Sequence, residues 1–463
     1  MSPALTDIDT IVIVMLENRS FDHLLGHLSY PPNGNRPDVD GIRLPLNQQA
    51  YRNLFATESY YPFLMRDGDL PADLPHERAA VSEQLAFSSV TGKYDMSGFV
   101  SAYYKSTPVN RTLTPETMGF LAADQVTISD FLAREYVVCD RWFAPIPTST
   151  QPNRIMSLTG TTMVDKTEST IVPIGAGTFV LDWLDLHRVR WRVYNTSVVS
   201  FFLAIGRFLD VIGPNFHDVS KLAGDFAGPR AAGDPQVVFI EPCYSDAPFL
   251  GIEPNDEHAP RPVTQGERFL HDVYEALTAN PKRWAKTLLI VTYDEHGGFF
   301  DHVPPLPIRF TPPPGARFTA GFESTGPRVP GLIVSPFAAR AGVCQSPFDH
   351  TSILQLLAEK FTPGAPYSPE VDNRRVQGIR SLSEALSDVP RADIPLAPAS
   401  PAPTTGAAGP YKQAVAPSPP PPARGPTANE LAFRDASIQF LQKVPEAAAR
   451  FPELAEWRTK LPP

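Results

Sequence analysis

Cysteine is scarce in this chain of 463 residues, which contains only Cys139, Cys243 and Cys344. They lack the short spacings of a zinc site and are too few for a disulfide framework, which leaves at most one bridge and points to buried free thiols. Long apolar runs are missing as well. No stretch approaches the roughly 20 residues of a membrane-spanning helix. The start, MSPALTDID, is acidic where a secretory signal carries positive charge, and its apolar run Ile11–Leu16 is short. It reads as the beginning of a domain, with a cytoplasmic location as the default expectation. Basic charge is also limited: 40 Lys and Arg against 50 Asp and Glu give a net charge of −10. That balance provides no footprint for nucleic acid and no basic patch for anionic lipid. A phosphate-bearing substrate would need local positive charge from a metal or from a few side chains.

Proline, by contrast, is abundant, with 52 residues against a usual share of about 5%. Many connections must therefore be extended and irregular. The length suits one large α/β domain with insertions, or two domains. Four apolar, β-branched runs end abruptly in polar or turn residues: Ile11–Leu16, Val237–Ile240, Thr287–Tyr293 and Val329–Ser335. They read as buried strands, with helical patterns over Gly266–Ala279 and His350–Phe361. Such alternation predicts a mostly parallel sheet covered by helices on both faces. The segment Asp301–Phe322 reads as a long proline-rich excursion. From Pro390 to Pro426 there are 12 prolines, four of them consecutive at Pro419–Pro422, so this stretch is expected to be an extended linker. The domain reading is a catalytic domain over 1–388, a Pro/Ala-rich linker over 389–427 and a short helical appendage over 428–463.

The residues just beyond each strand carry the chemistry. Glu17-Asn18 succeeds the first, Glu241-Pro242 the second and Asp294-Glu295-His296 the third, while Ser335-Pro336 closes the fourth. Ligands of open α/β sheets bind beyond the carboxyl ends of the strands, so these groups are placed to share one site. Three carboxylates and an amide oxygen suit a hard divalent cation such as Mg²⁺, Ca²⁺ or Mn²⁺. Acidic residues at strand-to-helix turns also serve as helix caps or as partners of nearby arginines such as Arg19. Among the histidines, His258 lies in a polar loop and His296 precedes Gly297-Gly298, settings that suit phosphate contact or general acid work. The turn Pro147–Arg154 presents three hydroxyls, but by composition alone it is an ordinary turn.

Several segments together resemble one family, the phosphoesterases comprising bacterial phospholipases C, plant non-specific phospholipases C and certain bacterial acid phosphatases. The match rests on Glu17–His23, Pro75-His76 with Glu83-Gln84, Gly92-Lys93 with Gly98–Val100, and Ser149–Arg154. It continues through Glu241-Pro242, Asn255–His258, Tyr293–Val303, Gly326–Pro330 and Phe348–Ser352. These landmarks occur in the family's order between residues 10 and about 360. The loop Gly92–Phe99 departs from the family pattern in its spacing, so a particular lipid preference does not carry over.

The resemblance implies an α/β core like that of alkaline phosphatase, with a mostly parallel central sheet, helices on both faces and long irregular insertions. It implies Thr150 as the nucleophile that forms a phospho-enzyme. Glu17, Asn18, Asp294 and Glu295, with Thr150 beside them, are implied as holders of a divalent ion (Mg, Ca, Mn or Zn). His76, His258 and His296 are implied around the phosphoryl group, and Asp256 is placed with them; His258 is the expected proton donor to the leaving alcohol. The expected activity is hydrolysis of phospholipid headgroup esters at a membrane surface, with soluble phosphomonoesters as the alternative substrate. A reading from another class is a non-catalytic, metal-stabilised domain that binds a partner through its proline-rich tail.

Overall fold

The computed structural model describes residues 3–31, 34–66, 70, 72–107, 111–174, 177–402 and 425–461. Eight strands form one sheet: β1 (Thr10–Leu16), β2 (Val137–Cys139), β3 (Trp191–Asn195), β4 (Phe216–Asp218), β5 (Val237–Glu241), β6 (Thr287–Tyr293), β7 (Gly331–Val334) and β8 (Gly342–Cys344). Their spatial order is β4-β3-β5-β1-β6-β7-β2-β8. Neighbours pair parallel throughout, except that β7 runs antiparallel to β6 and β2. Every residue of β1, β5, β6 and β7 is buried, so helices must cover the central strands on both faces.

The helices that matter for the site are α1 (Phe21–Leu25), α2 (Arg78–Leu85), α3 (Thr150–Thr159), α4 (Thr264–Thr278), α5 (Thr351–Phe361) and α6 (Ala428–Lys443). One group gathers α4 with Thr127–Glu135 and Leu222–Ala227, while another pairs α3 with α5. This is the α/β architecture with a mostly parallel sheet that the alternation of runs predicts. No helix among the described residues is long and apolar enough to cross a membrane.

The four strands read from the sequence are neighbours at the centre of the sheet. The direction of the fourth corrects one expectation. Because β7 is antiparallel, its carboxyl end lies at the opposite edge from Glu17 and Asp294, and the Ser335 hydroxyl donates to Thr287 O at the start of β6 (2.8 Å). Ser335 is therefore remote from the acidic strand ends.

Two insertions flank the sheet. Residues 17–136, between β1 and β2, carry a small core of their own built around Val81, Leu85, Phe99 and Phe120. The proline-rich stretch after Asp301 contains no helix or named strand and is pinned by a bridge between Phe310 and Phe322. At the C-terminal end, residues 389–402 run extended along α4, where Tyr274 and Arg268 donate to Pro395 O (2.6 Å) and Pro401 O (2.7 Å). The centre of the expected linker, 403–424 with Pro419–Pro422, lies outside the described residues. Beyond it, α6 starts with a capping box between Thr427 and Glu430. Phe433, Ala436 and Phe440 of α6 are fully buried, with Phe433 stacked on Tyr244.

Candidate active site

The site forms where β1 and β6, paired in parallel, both end in acidic residues. Asn18 has a left-handed backbone (φ 60°) that turns the chain back onto β6, and its N–H donates to Asp294 Oδ1 (3.0 Å). The same oxygen accepts from Glu295 N–H (2.8 Å). A side chain at Gly297 would place its Cβ 2.1 Å from Asn18 O, and one at Gly298 would meet Leu74 Cβ at 2.7 Å; both glycines have positive φ. Gly297-Gly298 thus lets the β6 loop pack against Asn18 and against the loop that delivers His76.

Thr150 opens α3, a helix buried along its whole length. Asn153 clamps the preceding turn: its Oδ1 accepts from Ile146 N–H (3.1 Å), and its Nδ2 donates to Thr148 O (2.8 Å) and Ser149 O (3.0 Å). Arg154, one helical turn after Thr150, is on the same side of α3. Its guanidinium donates to Glu17 Oε1 (3.0 Å) and to the last carbonyls of β1, Met15 O (3.1 Å) and Leu16 O (3.2 Å). Glu17 is therefore paired with Arg154, whereas Arg19 turns to Glu257 O and His23. The Thr150 hydroxyl lies 3.4 Å from Asn18 Oδ1. The nucleophile candidate and the acidic strand ends are thus joined in one structure.

Two carboxylate oxygens in this cluster, Asp294 Oδ2 and Glu295 Oε1, are buried without a hydrogen-bond partner, and Glu17 Oε2 meets His258 Nδ1 at 3.2 Å. A single unpartnered atom of this kind costs about 1–3 kcal/mol, so two in one cluster match a site built for a cation. Burial and the neighbouring Glu17 charge push Asp294 up to about 8, against the pull of Arg154. Burial raises Glu17 too, but Arg154 and His258 outweigh it and hold that carboxyl below its ordinary value. Oxygen-rich, anionic and dry, the set fits a hard divalent ion. Among the described residues around this site, two groups have ligating atoms within 4.8 Å of one another, Glu17 with Asp256 and His258, and Asp73 with His76 and His258; neither includes the expected ligands Asp294 and Glu295. Buried acidic and histidine groups able to hold a metal are therefore present.

The histidines divide by position. His76, Thr150 and His258 line one cavity of about 510 Å³ together with Asp73, Glu77 and Asp246. The Nδ1–H of His76 donates to Leu74 O (2.7 Å), which leaves Nε2 for the cavity. Burial opposes the charged ring, but Asp73 and Glu295 outweigh it and lift His76 to about 9. His258 has both nitrogens engaged: Nδ1 faces Glu17 Oε2 (3.2 Å) and Asp246 Oδ2 (3.7 Å), while Nε2 meets Asn18 Nδ2 (2.9 Å) and Asp73 Oδ1 (3.4 Å). His296 is fully buried behind Glu295 and does not line the cavity. Gln84 donates through Nε2 to Pro75 O (2.6 Å), so its Oε1 must accept from His296 Nε2–H (2.7 Å). His296 Nδ1 lies 3.0 Å from Glu295 Oε2. Asp256 is also internal: its carboxylate accepts from Ser245 N–H (2.6 Å) and His258 N–H (3.3 Å), which shapes the loop that carries His258.

Asp73 and Asp246 are site residues that reading the sequence does not single out. Asp73 has a usable signal, three residues before His76, whereas Asp246 sits in a loop after β5 with nothing to mark it. The i, i+4 spacing places Arg154 on the same side of a helix as Thr150, but nothing in the sequence names Glu17, 137 residues away, as its partner.

Residues 8–362 match the model of the Phosphoesterase family. Non-specific phospholipase C1 of Arabidopsis thaliana is 31% identical, with 84% of this chain and 73% of that protein covered. Phospholipase C B of Mycobacterium tuberculosis is 28% identical, with 78% and 75% covered. Among solved structures, the lipoteichoic acid synthase LtaP of Listeria monocytogenes aligns at a TM-score of 0.33 and 11% identity, over 80% of this chain and 77% of that one. The breadth of the family match, with the acidic strand ends, Thr150 and the cavity histidines all inside it, identifies the chain as a member of the Phosphoesterase family and a hydrolase of phosphoester bonds.

Proposed function

We propose that this protein cleaves phospholipids in the manner of a phospholipase C, with Thr150 as nucleophile and phospho-threonine as intermediate. The observation that carries this reading is the Thr150 hydroxyl at the start of a buried helix, 3.4 Å from Asn18 Oδ1 and beside the partnerless carboxylate oxygens. The names of the plant and mycobacterial relatives support the choice of phospholipid.

Glu17, Asn18, Asp294 and Glu295, with Thr150, would hold a divalent cation. Such an ion would favour the threonine alkoxide and offset charge on the phosphoryl group. The backbone N–H groups opening α3 point towards the same region and favour an anion there. Thr150 loses its proton to water and attacks phosphorus; the Oγ–P bond forms as the P–O bond to diacylglycerol breaks. The leaving oxygen takes a proton from His76 Nε2, the nitrogen left free in the cavity. This choice replaces His258, whose nitrogens are both committed to holding Glu17 and Asn18. A water then attacks the phospho-threonine, returns one proton to His76 and releases Thr150 as the anion with which it began.

The test is Thr150→Ala, assayed on phosphatidylcholine and phosphatidylethanolamine vesicles and on p-nitrophenyl phosphate, with phosphopeptide mass spectrometry of the wild-type enzyme quenched during turnover. The variant should lose activity on every substrate, and the wild type should carry phosphate on Thr150. Unchanged turnover in the variant would overturn the mechanism. Release of inorganic phosphate from monoesters, with no diacylglycerol from any vesicle, would instead make the enzyme a phosphatase.

A further inference from the structure

The cavity over Thr150 is closed on one side by a part of the chain far outside the matched region: Thr427, Ala428 and Asn429, the first turn of α6. Asn429 is 6% exposed and donates through Nδ2 to Asp246 Oδ2 (2.9 Å). That bond fixes the amide, so the oxygen is the acceptor left over, and Asn429 Oδ1 is buried without a hydrogen-bond partner. A buried amide oxygen in this state costs about 1–3 kcal/mol unless something donates to it. Among the described residues no group donates to it, and Asn429 lines the cavity.

The rest of the lining narrows what that ligand is. Asp73, Glu77 and Asp246 add carboxylates, the apolar contributors are small (Leu74, Pro75 and three alanines), and among the described lining residues there is no Lys, Arg, Phe, Tyr or Trp. With Thr150 and His76 in its wall, the cavity takes the phosphoryl group and, beside it, the polar substituent that the carboxylates and Asn429 would face. A trimethylammonium headgroup is bound best by aromatic faces, which this wall lacks. It also has no hydrogen to donate to Asn429 Oδ1. A substituent bearing N–H or O–H groups satisfies that oxygen.

On the reading of this cavity as the phosphoester site, we infer that the first turn of α6, through Asn429 held by Asp246, is a specificity element that selects headgroups carrying hydrogen-bond donors, a primary ammonium or hydroxyls, over choline. The selection comes from one unmet acceptor: an analogue without a donor leaves Asn429 Oδ1 buried and unpaired, which is a basis for discrimination.

The experiment compares kcat/KM of the full-length enzyme on vesicles of one carrier lipid containing phosphatidylethanolamine, phosphatidylinositol or phosphatidylcholine, with p-nitrophenyl phosphate as a substrate without a headgroup. Wild type should favour at least one of the two donor headgroups over choline by roughly ten- to a hundredfold. The ethanolamine and inositol arms separate ammonium from hydroxyl recognition. In Asn429→Ala and in the milder Asn429→Ser, with folding checked by thermal melting, that ratio should fall by about tenfold, chiefly through KM. Choline turned over as well as both donor headgroups, or an unchanged ratio in both folded variants, would overturn the inference while leaving the Thr150 reading intact. Inactivity of the wild type on all four substrates would overturn both, whereas survival of activity in Thr150→Ala would sink that reading separately.

Discussion

Two clusters of buried carboxylates and histidine hang from the same two strands, and they are resolved in opposite ways. Five residues after Glu17 comes Asp22 in α1, and seven after Asp294 comes Asp301; with His302 they too bring ligating atoms within 4.8 Å of one another. In that cluster the cation is built in. Arg328 donates to Asp22 Oδ1 (3.0 Å) and to both oxygens of Asp301 (3.2 Å each), and also reaches Asp40 O (2.7 Å) and Asp140 O (3.0 Å). His302 completes it, with Nδ1 2.6 Å from Asp22 Oδ2 and Nε2 3.2 Å from Asp40 Oδ1. Among the described residues, Asp22, Asp301, His302 and Arg328 leave no buried side-chain atom unsatisfied. The cluster at Glu17 and Asp294 leaves two carboxylate oxygens, Asp294 Oδ2 and Glu295 Oε1, unsatisfied, although Arg154 stands beside it. Acidic composition alone therefore does not mark a metal site; unfilled acceptor capacity does.

The largest effect expected from this contrast is catalytic. Asp294→Asn and Glu17→Gln should lower kcat/KM on the order of a thousandfold or more, with loss of metal from the isolated protein and little change in melting temperature under chelator. Full activity and full metal content in both variants would place the functional ion elsewhere. The matching lesion in the other cluster is structural. Arg328→Met buries Asp22 and Asp301 without their cation, and urea unfolding should show a loss of about 3–5 kcal/mol. A loss no larger than that of an exposed arginine would mean that the cluster is not held by its ion pairs.

One cluster is more legible than the other because of where its residues sit. β1, β5, β6 and β7 are covered on both faces, so they read as unbroken apolar runs, and Glu17, Asn18, Asp294 and Glu295 are conspicuous as their abrupt ends. The remaining sheet strands, such as Val137–Cys139 and Phe216–Asp218, have three to five residues each and show no comparable run. The direction of β7 leaves no mark in composition, because a strand buried on both faces looks the same run either way, and Ser335 is expected at the wrong edge for that reason. Thr150 emerges only through family resemblance, since hydroxyl and proline residues are what any turn contains. Asp73, Asp246 and Asn429 come from three separated segments and meet only in the folded cavity. The role of Arg328 is equally hidden, since nothing near it in sequence names Asp22 and Asp301 as its partners.

A smaller effect tests which cluster takes the ion. Chelation of the purified protein should lower its melting temperature by a few degrees, and a divalent salt should restore it, because an ion bound only to the folded state stabilises by mass action. That shift should disappear in Asp294→Asn and persist in Asp22→Asn. The reverse pattern would move the metal to the cluster around Asp22 and leave Arg328 as its neighbour rather than its substitute.

The smallest expected effect probes the charge balance of the self-sufficient cluster. Burial works against a charged His302, but Asp22 and then Asp40 outweigh it and raise the ring to about 9. A folded-state pKa above the unfolded value of about 6.5 means that the protonated ring stabilises the fold. The contribution is complete below about pH 6.5 and is lost as pH rises through about 9. Within the cluster, burial lifts Asp301 to about 6, so its titration overlaps the lower edge of this window and is complete by about pH 8. Melting temperatures of the wild type and His302→Gln should accordingly differ most near pH 6.5 and converge by about pH 10, because a neutral ring and a neutral amide then face Asp22 alike. A gap that stays constant across the range would show that His302 contributes through its packing against Tyr51 (ring centroids 5.3 Å apart) rather than through its charge.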